Sequence, residues 1–247
     1  MIASLPMYLR PANRAAHHAL WALIRDQLRQ RDIPAPDALD EAIDFEASWA
    51  HPDLVLGQIC NLPYRAQFRD RVTRVAAMDY DLPGCAPGYY NSVFIVHRDS
   101  HLSDLRHLRG RRMAASALLS QSGYGAAQQW AADQRFAFAS PLITGNHAAS
   151  IKAVATGAAD FASIDAQTWW MAQQDDPLTG QVKVIGTTPA SPCMTLITRK
   201  EQNPAPYLAA VTDAIAALPE THRQMLGLRG VVALPPAAYD IALPPDP

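Results

Sequence analysis

Ser120 and Ser122 flank Gln121 and are followed at once by Gly123, Tyr124 and Gly125. Before them stand Leu118 and Leu119; after them residues 126–132, rich in Ala and Gln, read as a helix. A hydroxyl donates and accepts hydrogen bonds, and a glycine lets backbone approach a ligand closely. The first N–H groups of a helix have no partner inside it, and the helix dipole makes that end positive. The chemistry open to this segment is reversible capture of a phosphate-like or carboxylate anion without Lys or Arg. The alternative is a serine that only caps its helix.

Composition narrows the setting. At 247 residues the chain holds one large domain or two small ones, and 49% apolar residues allow a sizeable core. A net charge of −2 argues against a nucleic-acid or anionic-membrane surface, which needs a basic excess. Cys60, Cys85 and Cys193 lie far apart, with no CxxC and no Cys/His cluster, so neither a metal nor a cofactor is expected. A Cys60–Cys85 disulfide is possible in principle but not indicated. There is no apolar run of about twenty residues, hence no expected membrane span. No charged segment followed by an apolar run opens the chain, so the expectation is a cytoplasmic protein or one that begins after a removed leader.

The elements that must position the segment follow from periodicity and turn residues. Residues 2–8 read as a first strand, and Pro11 or Asn13 opens a helix running to Arg31, stopped by Pro34 and Pro36. His17 and His18 read as surface or cap residues of that helix. Residues 42–45 are a weak strand candidate. Residues 53–57 are a stronger one, a continuous apolar run suited to a strand buried on both faces. Gln58, Cys60 and Asn61, just beyond its carboxyl end, are candidate wall residues. Further strands are expected at 71–78, 90–97, 112–116, 141–145, 160–165, 182–186 and 194–198. Helices are expected from Asn146 or His147 to Gly157, at 167–173, and from Pro206 with Leu208, Val211, Ile215 and Leu218 on one face.

Alternating β and α units imply mainly parallel sheets with helices on both sides. The block between the two long β runs is a complete small α/β unit. This predicts two lobes joined by two crossovers: residues 1–94 with 196–247, and residues 95–195 carrying the Ser/Gly loop. A ligand is then expected in the cleft between them.

Seven segments in this order look familiar: Asp53-Leu-Val-Leu-Gly-Gln58; Gly88-Tyr-Tyr-Asn-Ser-Val-Phe-Ile-Val96; Leu108-Arg-Gly-Arg-Arg-Met-Ala114; Ser120-Gln-Ser-Gly-Tyr124; Thr144-Gly-Asn-His-Ala-Ala-Ser150; Ala158-Ala-Asp-Phe-Ala-Ser-Ile-Asp165; and Val184-Ile-Gly-Thr-Thr-Pro189. They resemble the PhnD-like family, substrate-binding proteins of phosphate and phosphonate ABC transporters, over nearly the whole chain. The resemblance implies a type II periplasmic-binding-protein fold and a periplasmic location. It also implies an anion seat at Ser120, Ser122, Gly123 and His147. Gln121 stands where the family usually carries a hydroxyl. His147 would open a helix and offer one more hydrogen bond. Asp165 would either accept from a ligand or cap the next helix. Tyr8, Tyr89 and Tyr90 would form an aromatic wall or sit in the core; Trp169 and Trp170 are assigned to packing.

The expected function is capture of a small anion for the permease of an ABC transporter, by a monomer or weak dimer that performs no catalysis. The alternatives are an enzyme on the same fold, for which Cys60 and His147 offer a nucleophile and a base, and an intracellular ligand sensor. No P-loop and no GxGxxG preceding a helix supports the enzyme.

Overall fold

A computed structural model describes residues 1–245. The chain divides into two units: Met1–Tyr89 with Pro192–Asp240, and Tyr90–Ser191 with the tail from Ile241.

In the first unit five strands lie in the order Ile2–Ser4, Leu54–Ile59, Thr195–Arg199, Val72–Asp79, Gly230–Val232. All six residues of Leu54–Ile59 are buried, which is why that stretch is apolar or glycine at every position but Gln58. The helix Arg14–Arg29 turns Ala16, Leu20, Ile24 and Leu28 inward at helical spacing. The helix Pro204–Ala217 does the same with Tyr207, Ala210, Val211, Ala214 and Ile215.

Three local expectations are corrected in this unit. The first strand stops at Ser4, because Pro6 has no N–H for a ladder and its carbonyl closes a turn with Leu9 N at 3.2 Å. Residues 42–45 form no strand; the Asp44 carboxylate accepts from Glu46 N and Ala47 N and caps the helix Phe45–Trp49 instead. His17 is buried rather than on the surface, since it shares the inward stripe with Leu20, Trp21 and Ile24. His18 is exposed and meets Glu41. No disulfide joins the three cysteines.

In the second unit five strands lie in the order Ala139–Ile143, Arg112–Ala115, Phe161–Asp165, Ser92–His97, Val182–Thr187. Alternation along Ser92–His97 splits the core in two. Val93 and Ile95 face one cluster with Ile151, Val154 and Ile164; Phe94 and Val96 face another with Met113, Tyr124 and Ala127. Helices therefore cover both faces of the sheet.

Both sheets are mixed. Arg112–Ala115 is parallel to both its neighbours, and Ile2–Ser4 is parallel to Leu54–Ile59. The first strand after each chain entry, Ser92–His97 in one unit and Thr195–Arg199 in the other, runs antiparallel to both its neighbours.

Candidate functional site

Three strands of the second unit, Arg112–Ala115, Ala139–Ile143 and Phe161–Asp165, run parallel and end on one edge of the sheet. The loops leaving these carboxyl ends carry the Ser/Gly segment, His147 and Asp165. In open α/β sheets this is where ligands bind.

The Ser/Gly segment is one turn of π-helix, Gln121–Gly125, leading into the α-helix Ala126–Asp133. Gly125 N donates to Ser120 O at 2.9 Å, five residues back, which is the π spacing. Ser120 caps the turn: its Oγ accepts from Gly123 N at 2.9 Å. The capping alternative is thus the one its Oγ fills. Ser122 is 1% exposed, and its Oγ lies 3.1 Å from His147 Nε2. His147 is half-buried and opens the helix His147–Ala155, which Asn146 caps by accepting from Ala149 N at 2.8 Å. One hydrogen bond thus bridges the starts of two helices, both with their positive ends toward it.

Gly123 has a packing reason beyond close ligand approach. A Cβ there would lie 2.0 Å from Ser116 Oγ and 3.1 Å from Ser116 Cβ. Ser163 Oγ donates to Ser122 O at 2.6 Å, tying the turn to the neighbouring strand. Thr144 N and Gly145 N donate to Ala115 O and Ser116 O at 2.9 and 3.0 Å, and Gly145 adopts φ 91°. That turn ends the strand at Ile143, two residues before the expected position, and carries the chain to His147.

Ser116 and Ser163 were not singled out from sequence. Ser163 is flanked by Ala162 and Ile164 in a fully buried strand, and that contrast was the available signal.

The remaining expected residues fall as follows. Gln121 is buried beside Ser122 at 5% exposure. Tyr124 packs its ring into the Phe94–Met113 cluster. Asp165 is fully buried and caps the helix Ala166–Asp175, accepting from Thr168 N at 2.8 Å. Tyr90 is buried in this unit. Trp169 packs against the Ile151 cluster, while Trp170 is exposed.

Tyr8 and Gln58 belong to the first unit and are buried there. Tyr8 meets Tyr80 edge-on at 5.0 Å, and Gln58 Oε1 accepts from Met7 N at 3.3 Å. Both line a small internal cavity with His17, Leu20 and Ile24. Burial holds the His17 imidazole below its ordinary pKa, opposed by its hydrogen bond to the Asn13 carbonyl. Cys60 is buried, and Asn61 Nδ2 donates to Pro192 O at 3.2 Å.

Among the described residues no cluster of His, Cys, Asp or Glu could hold a metal ion, and no helix is long and apolar enough to cross a membrane.

The family model described as "ABC transporter, phosphonate, periplasmic substrate-binding protein" matches residues 54–239. No curated protein matches the chain. Among solved structures, PhnD1 of Prochlorococcus marinus MIT 9301, in complex with methylphosphonate, is similar with a TM-score of 0.72 at 18% identity, over 97% of this chain and 94% of that one. A binding protein component of an ABC phosphonate transporter from Pseudomonas aeruginosa is similar with a TM-score of 0.69 at 17% identity, over 97% and 82%. XAC2383 of Xanthomonas citri, bound to ATP, is similar with a TM-score of 0.67 at 14% identity, over 96% and 92%. The fold is that of type II periplasmic binding proteins.

Proposed function

The chain belongs to the family of periplasmic substrate-binding proteins of phosphonate ABC transporters, and on that premise we propose that it captures a small phosphonate- or phosphate-type anion at Ser122 and His147. It holds the ligand without altering it and delivers it to a membrane permease. The observation that carries this reading is the contact between Ser122 Oγ and His147 Nε2 at 3.1 Å. It gathers a hydroxyl, an imidazole and two helix starts into one place, with backbone dipoles supplying the positive field.

An oxyanion arriving there takes a hydrogen bond from the Ser122 hydroxyl and one from the imidazole. Gln121, with an amide in place of a hydroxyl, contributes a longer and differently placed donor. Tyr124 and Asp165 act from behind: one anchors the turn in the core, the other caps a neighbouring helix. The methylphosphonate bound to the Prochlorococcus protein supports the choice of probe.

The test is thermal unfolding with methylphosphonate, inorganic phosphate, sulfate and acetate, followed by calorimetry of any hit. A ligand at a hundred times its dissociation constant stabilises the folded state by about 2.7 kcal/mol. A rise in midpoint with a phosphorus oxyanion that is lost in Ser122→Ala supports the reading. No response to any phosphorus oxyanion overturns it.

A further inference from the structure

A second concavity lies in the first unit, bounded by Trp49, His51, Pro52, Arg71, Arg199 and Lys200, open to solvent and with a volume of about 260 Å³. It sits at the sheet end where Leu54–Ile59 and Val72–Asp79 begin, with Arg199 paired to Val72 in the ladder. None of its lining residues belongs to the site above.

Its charge distinguishes it. Elsewhere in this unit cations meet carboxylates, as in Arg14–Glu41, Arg31–Asp213, Arg69–Asp240 and Arg229–Asp81. Arg71, Arg199 and Lys200 are all exposed, and among the described residues none makes an ion pair. The nearby Asp53 carboxylate is turned to the N-terminal ammonium, 3.9 Å away.

Two of the three cations have defined neighbours. The Arg71 guanidinium stacks 4.5 Å over the Phe68 ring, and Arg199 Nη2 donates to Gln202 Oε1 at 3.3 Å. His51 Nδ1 accepts from Asp53 N at 3.0 Å, so the neutral ring carries its proton on Nε2 and can donate with it. Trp49 commits its indole N–H to Gln58 O at 2.9 Å and offers only ring surface.

We propose that this concavity is a second anion site, taking a small polyanion with two or more closely spaced negative charges, of which the diphosphate group is the type. A single exposed ion pair in water is weak, so one negative charge would not be retained. Several charges meeting three cations at once are retained, and guanidinium groups suit phosphate oxygens. At about 260 Å³ the concavity is smaller than the roughly 300–1,000 Å³ of drug-sized ligand pockets, which suits a small inorganic polyanion.

The test uses the full chain and pyrophosphate as probe, with amide shift mapping and calorimetry. Pyrophosphate should shift the amides of Ala50, His51, Val72 and Lys200. The Arg199→Ala/Lys200→Ala variant should weaken that binding at least tenfold while leaving its methylphosphonate response that of the wild type. The single Lys200→Glu change, on an exposed turn, gives the same readout if the double variant folds poorly. Shifts confined to residues 120–125 and 147, no shifts at all, or wild-type pyrophosphate affinity in these variants would overturn the proposal. A protein that binds pyrophosphate here yet shows no response to methylphosphonate or inorganic phosphate at Ser122 and His147 would instead sink the Ser122–His147 reading alone.

Discussion

Ser122 Oγ and His147 Nε2, 25 positions apart in the chain, stand 3.1 Å from each other at the carboxyl edge of one sheet. Neither residue is charged by default, and the helix starts around them supply the field an anion needs. Replacing Ser122 with Ala should weaken binding of a phosphorus oxyanion by about 1–3 kcal/mol, because a desolvated charged ligand loses a donor. His147→Gln, which keeps a donor, should lose less than His147→Ala. Calorimetry of the three variants checks both statements, and unchanged affinity in both His147 variants would remove the imidazole from the site.

Gly123 and Ser116 make the second prediction. A methyl group at 123 would press on Ser116 Oγ at 2.0 Å, a separation that real atoms do not tolerate. Gly123→Ala should destabilise the protein by about 1–3 kcal/mol through overpacking. Adding Ser116→Gly removes two of the three opposing atoms, leaving Ser120 Oγ at 2.9 Å, and should restore part of the loss. Urea unfolding of the single and double variants reads this coupling directly; simple additivity would show that the contact is relieved some other way.

Asp165 is predicted to matter for stability. Its carboxylate accepts from Thr168 N at 2.8 Å at the start of the helix Ala166–Asp175. Asp165→Ala should cost about 0.5–2 kcal/mol, whereas Asp165→Asn, which retains a capping oxygen, should cost less. Anion affinity should be nearly unchanged in Asp165→Asn. A large loss of affinity there would assign the carboxylate to the ligand instead.

His17 links stability to pH. Burial lowers its pKa in the folded chain from the 6.5 of the free side chain. As pH falls through 6.5 the unfolded chain takes up a proton before the folded one does. The contribution of His17 is therefore fully present above pH 6.5 and declines below it. Urea unfolding at pH 7.5 and 5.5 should show a smaller drop on acidification for His17→Gln than for the wild type. An identical drop in both would mean that other groups carry the pH dependence.

Much of this was legible residue by residue. Leu54–Ile59 announces itself because a strand covered on both faces is largely apolar, with Gln58 its one polar side chain. The turn after Ser120 announces itself because hydroxyls and glycines before a helix have few other uses. His17 misled because one histidine among Ala16, Leu20 and Trp21 looks polar, yet helical spacing places it on the inward stripe. Residues 42–45 misled because Ile43 and Phe45 alternate like a strand, while Asp44 was already placed to cap a helix. Asp165 left two roles open, since a carboxylate at a strand end suits a ligand and a helix cap equally well until Thr168 N is seen 2.8 Å away.

The amino-acid order by itself determined the succession of elements, the apolar faces and the capping residues, because each depends on neighbours within a few positions. The tertiary structure alone decided the direction of strands such as Ser92–His97 and Thr195–Arg199, the pressing of Ser116 against Gly123, and the meeting of Ser122 with His147. Those relationships join residues far apart in the chain, and only sheet pairing and close packing bring such residues within bonding distance.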